Sequence, residues 1–335
     1  MALRSCIIVG AGLSGLVAAQ QLQAQDVQVT VLDKARGVGG RMATRRIDGG
    51  VFDHGAQYFT VREARFAKLV EDWIAAGVAT EWGKTLSGES TSIDSLESAQ
   101  ATRNPRYRGT GGMTDIPKYL ARNLDVRLEQ TVSRVALESD GWTVETKEGL
   151  KMCAEALLLT PPIPQTLALL DASQYTLPAA VRAELDAVGG SYLPCFAVMV
   201  LLDGPSNIPE PGRLWLSGDP VSWMADNYLK GISPGAHAVT IHAGTDFSRK
   251  HFDDDLKAVA EMLLEASDEW LGSPVRTYQT HRWRYSIPEQ TYHEPYLWLP
   301  EKYPLLLAGE AFFGPRVEGA VVSGLSAAQR LLSEK

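Results

Sequence analysis

The spacing of apolar residues changes period several times along the chain, and each change marks an element. Residues 5–9 form a short apolar run ending at glycine; Leu13, Leu16, Val17 and Leu22 then recur at helical spacing, and Val27, Val29 and Val31 alternate as in a strand. The opening segment therefore predicts β-α-β. Residues 37–55 are dense in glycine, arginine and aspartate without an apolar period, which predicts an ordered loop with a short strand at 51–52. Phe66, Leu69, Val70, Trp73 and Ile74 give residues 65–74 an amphipathic helical pattern, and the polar residues 83–100 predict loop or meander.

A helix at 113–124 and strands at 126–128, 131–137, 142–146 and 156–160 follow, and Pro161, Pro162 and Pro164 then predict the end of that unit. Beyond them, residues 195–202, 215–216, 221–224, 237–242 and 275–283 predict a largely antiparallel sheet, with one long helix over 256–271. The chain closes with a buried strand at 305–308, a glycine-broken turn at 309–319 and a helix at 320–332. No internal repeat is visible.

Length and composition narrow the class. The 335 residues predict about two domains, and 45% hydrophobic with 21% charged residues excludes disordered, collagenous and coiled-coil chains. Lys+Arg 32 against Asp+Glu 40 leaves a net charge of -8, which opposes nonspecific attraction to nucleic acid or an anionic bilayer. Cys6, Cys153 and Cys195 form no CxxC, so neither a disulfide framework nor a zinc site is expected, and a reducing, cytoplasmic location fits. No cleavage site follows the first apolar stretch and the run 193–202 is far short of about 18 residues, so neither export nor a membrane span is expected.

Gly10-Ala11-Gly12-Leu13-Ser14-Gly15 matches GxGxxG, with a strand before it, a helix after it, and Asp33 ending the next strand. The first glycine permits the tight turn, the second lets a pyrophosphate approach the backbone, and the third lets helix and strand pack closely. Asp33 would accept hydrogen bonds from the adenosine ribose. The loop alone does not choose between NAD and FAD. Gly109-Thr110-Gly111-Gly112 follows a polar stretch rather than an apolar strand, so one dinucleotide is expected rather than two.

Six blocks in order carry a resemblance over nearly the whole chain: IIVGAGLSGL (7–16), LDKARGVGGRM (32–42), DHGAQYFT (53–60), GGM (111–113), HRWRY (281–285) and AGEAFFGPRVEGAVVSG (308–324). With these the sequence resembles the renalase family, especially its bacterial members, within the flavin-containing amine oxidase superfamily. The resemblance implies an α/β fold with p-hydroxybenzoate hydroxylase-like or amine oxidase-like architecture. A Rossmann-like FAD-binding domain (1–62, 109–165 and 300–335) is expected beside a substrate domain, mainly antiparallel sheet plus helix (63–108 and 166–299).

It also implies FAD, with Gly10, Gly12, Leu13, Ser14 and Gly15 at the pyrophosphate and Asp33 with Lys34 at the adenosine ribose. Gly40, Arg41 and Met42 match the loop whose arginine meets the phosphates, where a planar guanidinium suits bidentate contacts. Ala56, Gln57, Tyr58 and Phe59 match the segment beside the isoalloxazine, although Tyr58 and Phe59 equally suit core-facing strand positions. Val132 sits where relatives bond adenine through the backbone. Gly309 and Glu310, where the family often has aspartate, would meet ribityl or pyrophosphate groups, and Gly319-Ala320 would open a helix facing flavin N1 and O2.

The implied reaction is oxidation of 2- or 6-dihydro-NAD(P) to NAD(P)+ by hydride transfer to flavin N5, with O2 taking the electrons and hydrogen peroxide released. No general base is required, and no catalytic side chain is singled out. Trp283, Tyr285 and Arg282 are candidates for a substrate wall, as is Trp223; alternation puts Trp283 and Tyr285 on one strand face and Arg282 on the other, and an ordinary amphipathic strand reads equally well. His281 reads as structural, and His237 and His242 fall on opposite faces of one strand. Asn227 is as ambiguous as Trp223. Arg103, Arg106, Tyr107 and Arg108 read as a basic, aromatic-containing loop, either solvated, the favoured reading, or meeting a dinucleotide's pyrophosphate. Two alternatives stand: a flavin amine oxidase, for which no lysine beside N5 is evident, and a non-catalytic flavin-binding redox sensor. Oligomeric state is open.

Overall fold

The computed structural model describes residues 3–83, 105–216 and 218–333. The chain divides into two compact units, one of residues 1–40, 117–192 and 288–335, the other of 41–116 and 193–287.

In the first unit Ser5–Val9 pairs in parallel with Gln28–Leu32 on one side and Ala156–Leu159 on the other. Asp125–Arg127 and Leu305–Leu307 extend the parallel sheet, and Leu297–Leu299 closes one edge antiparallel. The central strands are buried runs rather than alternating ones, because helices cover such a sheet on its faces. A smaller antiparallel sheet of Val132–Leu137, Trp142–Thr146 and Lys151–Ala154 belongs to the same unit.

Helices Leu13–Gln23 and Val317–Ser333 pack with almost no side chain between them at one point: a Cβ on Gly324 would collide with the Ser14 carbonyl. Likewise a Cβ on Gly15 would strike the Gly10 carbonyl, which is the close helix-strand approach that the third glycine of the motif allows.

The second unit is built on a five-stranded sheet in the order Arg213–Trp215, Val221–Asp226, Ala238–Ala243, Tyr192–Leu202, Val275–Pro288. Strand alternation sorts its residues. Phe196, Val198, Val200, Met224, Val239 and Ile241 form one core with Val259, Ala260 and Leu263 of the helix Leu256–Glu265. On the other face Met199, Leu201 and Ala238 pack against Ile47 and Phe52. That second face also carries Trp223 and Ala225, which cluster with Trp82 and Tyr58.

Several elements depart from the pattern-based expectation. The glycine-rich stretch after residue 37 contains a true hairpin, Thr44–Ile47 with Gly50–Asp53, hidden because Arg45 and Arg46 break the apolar alternation. Pro162 does not end a unit but precedes a helix, Ile163–Ala172, with proline in its first turn, where a missing N–H costs nothing. The helix expected over 256–271 is two, Leu256–Glu265 and Asp268–Leu271, interrupted at buried Ser267. The last helix begins at Val317, before Gly319-Ala320. Strands Lys151–Ala154 and Leu297–Leu299 and the helix Ala179–Gly190 were not anticipated. Most of residues 83–100 lies outside the described residues.

Gly324→Val should cost about 1–3 kcal/mol, the usual penalty for overpacking a tight contact. A lowered chemical-denaturation midpoint with an unchanged slope is the expected reading.

Candidate functional site

The glycine turn of the first unit has the geometry of an anion cradle. Gly10 adopts φ +106, and its N–H donates to the Leu32 carbonyl at 2.8 Å. Gly12 is the N-cap of the helix Leu13–Gln23 and supplies no side-chain cap. A Cβ at Gly12 would meet nothing within 4 Å, so the space above the turn is open. Ser14 is buried and its Oγ has no partner. An uncapped helix N-terminus with an orphaned hydroxyl under open space fits phosphate oxygens, which the free N–H groups and the helix dipole would receive. Leu13 beside it is buried in the core.

Asp33 is already engaged: Oδ2 accepts from the Ala11 N–H at 2.6 Å and Oδ1 from the Ala35 N–H at 2.8 Å. It therefore holds the turn, and any ribose contact would share its remaining lone pairs. Exposed Lys34 donates to Gln165 at 3.0 Å. Gly40 is exposed at φ +53. Val132 is half-buried at the start of its strand. Gly309 at φ +144 donates to Ser323 Oγ at 2.8 Å. Glu310 is buried, and Tyr192 Oη donates to its Oε1 at 2.6 Å. The Ala320 N–H is spent on the Arg316 carbonyl, so the open N–H groups of that helix precede it, and a Cβ on Gly319 would collide with the Gly314 carbonyl.

The second unit holds a buried ion pair that the sequence did not reveal. Lys230 Nζ lies 2.8 Å from Asp53 Oδ2, and both side chains are 0% exposed. Asp53 Oδ1 also accepts from Thr44 Oγ1 at 2.6 Å and the Met113 N–H at 2.8 Å. Lys230 donates further to Gln57 Oε1 at 3.3 Å and sits 4.7 Å from the Trp82 ring centroid. Burial pushes the Lys230 ammonium below the usual lysine range, and Asp53 opposes that shift. Gln57 is pinned at its other end, because its Nε2 donates to the Asp53 and Gly55 carbonyls at 2.6 and 3.2 Å.

Beside Gln57 the same unit contains a cavity of about 260 Å³. Tyr58, Trp215 and Trp223 supply aromatic walls; Cys195, Ser222 and His242 line it from the sheet, and Ser286 and Ile287 from the long last strand. None of these lining side chains is carboxylate, ammonium or guanidinium. Of these walls Trp215 is 58% exposed. Burial pushes the Cys195 thiol up to about 12, which keeps it protonated and unreactive.

Alternation sorts the segment 56–59 as well. Tyr58 faces the cavity, while Phe59 packs into Phe66, Trp73 and Tyr107. Ala56 donates its N–H to the Arg41 carbonyl at 2.8 Å. Arg41 Nη1 points at the Tyr285 and Ser286 carbonyls at 3.4 and 3.3 Å, and Met42 is buried. Trp283 does not line the cavity: its Nε1 donates to the His54 carbonyl at 2.8 Å and its ring stacks on His54 at 5.2 Å. Arg282 projects from the opposite face, over Phe196 and Phe252, and donates to the Asp254 carbonyl.

His242 Nε2 lies 3.3 Å from that same His54 carbonyl. Burial pushes His54 down to about 3 and His242 and His281 down to about 4, so all three are neutral at ordinary pH. His237 precedes its strand and contacts Tyr228. Asn227 is buried, donating to Thr240 Oγ1 at 2.9 Å. Arg106 and Arg108 are not a solvated loop: Arg106 is buried against the Tyr58 ring, and Arg108 donates to the Gly109 and Thr110 carbonyls. Tyr107 stands in the strand Tyr107–Gly109, and Arg103 lies outside the described residues. Among the described residues no group of His, Cys, Asp and Glu is arranged to hold a metal ion, and no helix is long and apolar enough to cross a membrane.

Comparison with known proteins places these features. Residues 8–73 match the NAD(P)-binding Rossmann-like domain and residues 73–332 the flavin containing amine oxidoreductase family. Renalase of Mus musculus is 25% identical over 343 aligned residues, covering 96% of each chain. L-amino acid dehydrogenase of Synechocystis sp. is 38% identical over 69 residues, 20% of this chain and 15% of that protein. Among solved structures, a putative protoporphyrinogen oxidase from Exiguobacterium sp. 255-15 superposes with TM-score 0.74 at 15% identity over all of both chains. A putrescine oxidase bound to putrescine superposes with TM-score 0.74 at 16% identity over 99% of each. Those two likenesses bear on the fold, a Rossmann-like part with an amine oxidase part.

Lys230→Met should destabilise the protein by about 3–5 kcal/mol, because it strands the Asp53 carboxylate without its counter-ion. The double variant Lys230→Met with Asp53→Asn should recover much of that loss. Denaturant melts of the two variants check this.

Proposed function

The chain belongs to the flavin containing amine oxidoreductase family, and within that flavin-dependent oxidoreductase chemistry we propose that it is an FAD-dependent oxidase of 2- or 6-dihydro-NAD(P), forming NAD(P)+ and hydrogen peroxide. Similarity to mouse renalase along 96% of both chains supports the reaction type. The observation that carries the substrate is the cavity of the second unit, with aromatic walls and no charged lining side chain. A neutral dihydropyridine ring asks for aromatic surface and shape rather than a charged partner, and these walls supply them.

FAD is supported over NAD as the resident dinucleotide by the family match, since the glycine turn alone fits either. In this reading Gly12 and Ser14 receive the pyrophosphate, and Asp33 holds the turn while sharing an oxygen with the ribose. Bound FAD would supply a hydride acceptor and a route for the two electrons to O2. The chain's own task is then positioning. Tyr58 and Trp223 hold the ring, Gln57 is locked by Lys230, and the neutral histidines add no charge that would repel the developing pyridinium. Loss of hydride makes the substrate ring aromatic, so no side chain has to take a proton from carbon.

Anaerobic mixing of the purified holoprotein with isomerised dihydronicotinamide dinucleotides should bleach the flavin within the mixing experiment, while a panel of primary and secondary amines should not. Bleaching by amines alone overturns the reading in favour of amine oxidation, and bleaching by neither points to a redox sensor. Gly12→Leu should fold, since a Cβ there meets nothing within 4 Å, yet purify without its yellow colour. Full flavin content in that variant would remove the turn from the cofactor site.

A further inference from the structure

Among the polar side chains of the cavity wall, Gln57 and Ser222 are already spent within the protein. Both Gln57 amide hydrogens go to the Asp53 and Gly55 carbonyls, and its oxygen takes the Lys230 ammonium. Ser222 Oγ donates to the strand carbonyls of His242 and Ala243, at 3.3 and 3.1 Å. His242 differs. Its Nε2 faces the His54 carbonyl, and a carbonyl oxygen only accepts, so the single proton of the neutral ring sits on Nε2. Nδ1 is thereby a bare lone pair, with no partner among the described residues and not sealed inside the protein. Burial pushes the ring down to about 4, so this state persists across the physiological range.

Resting on the substrate reading above, we propose that His242 selects the amide of the substrate: its Nδ1 accepts an N–H of the ring carboxamide, so that ligands offering only an acceptor at that position are rejected. A ketone in place of the amide would leave Nδ1 without a donor, and a carboxylate would set a negative charge against a lone pair. The tautomer is held from behind, because the His54 carbonyl that fixes His242 also receives Trp283 Nε1 at 2.8 Å. Trp283 is thus a positioning residue in this scheme, and His54 contributes its backbone rather than its ring.

The test titrates the flavin-loaded protein with three product-state probes, followed by perturbation of the flavin spectrum and by calorimetry. They are the oxidised nicotinamide dinucleotide, its 3-acetylpyridine analogue and its nicotinic acid analogue. The carboxamide should bind about tenfold or more tighter than the acetyl compound, the worth of roughly one well-placed hydrogen bond, and the acid should bind more weakly still. His242→Phe should bring the carboxamide and acetyl compounds to equal affinity while flavin content stays that of the parent protein. Equal binding of those two by the parent overturns the proposal, and so does discrimination that survives in His242→Phe; in both cases the substrate reading stands. Binding of none of the three overturns the substrate reading, and this proposal with it. Should His242→Phe fail to fold, the analogue series on the parent protein decides alone.

Discussion

An ammonium and a carboxylate buried together, Lys230 and Asp53, constrain everything around them in the second unit. Taking two such ions out of water costs several kcal/mol each, and their attraction offsets this only if the remaining lone pairs and protons are also satisfied. They are: Asp53 takes Thr44 Oγ1 and the Met113 N–H on its other oxygen, and Lys230 reaches Gln57 and the Trp82 ring. Each of these bonds ties a different stretch of chain to one point. The hairpin, the turn before Met113, the 53–58 segment and the loop after Val221–Asp226 therefore share a single set of positions. The cavity wall at Gln57 and Tyr58 inherits its geometry from that set.

In the first unit the corresponding constraint is steric rather than electrostatic. Gly15 and Gly324 are small because backbone lies where a Cβ would go, whereas Gly12 is small with nothing opposite it. The first two serve packing of the protein against itself. Gly12 lies instead at an uncapped helix N-terminus, beside the unpaired Ser14 hydroxyl. A protein seldom leaves buried donors unmet without something to meet them. That contrast sets crowded Gly15 apart from uncrowded Gly12 within one six-residue motif.

What could be read from sequence was what is local. The β-α-β opening and the place of Asp33 follow from periodicity and spacing within a few dozen residues, and the alternation of Trp283 against Arg282 holds in the long last strand. The hairpin at Thr44–Ile47 escaped because its polar residues mask the period, and the prolines at 162 and 164, read as a stop, open a helix instead because proline suits a first helical turn. Lys230 was invisible for a different reason. Its partner lies 177 positions away, and lysine in a polar stretch reads as a solvated side chain until the fold closes over it. The tautomer of His242 is set by a carbonyl 188 positions away, so no local pattern could report it.

The buried pair also shapes the character of the cavity in its own unit. A buried cation near the wall would repel an ammonium substrate, but Lys230 is neutralised by Asp53 and screened by Gln57, so the wall presents polarity without net charge. The histidines add to this by staying unprotonated, which burial enforces at the expense of stability as acidity rises. With a volume of about 260 Å³, below the roughly 300–1,000 Å³ of pockets for whole drug-sized ligands, the cavity suits a single ring and not an entire dinucleotide. Under the reading proposed above, the rest of such a ligand would lie outside the cavity, whose wall includes the 58% exposed Trp215. On that reading specificity for the ring would come from its own few polar atoms, where one oriented lone pair would distinguish an amide from its isosteres more sharply than any gain in contact area.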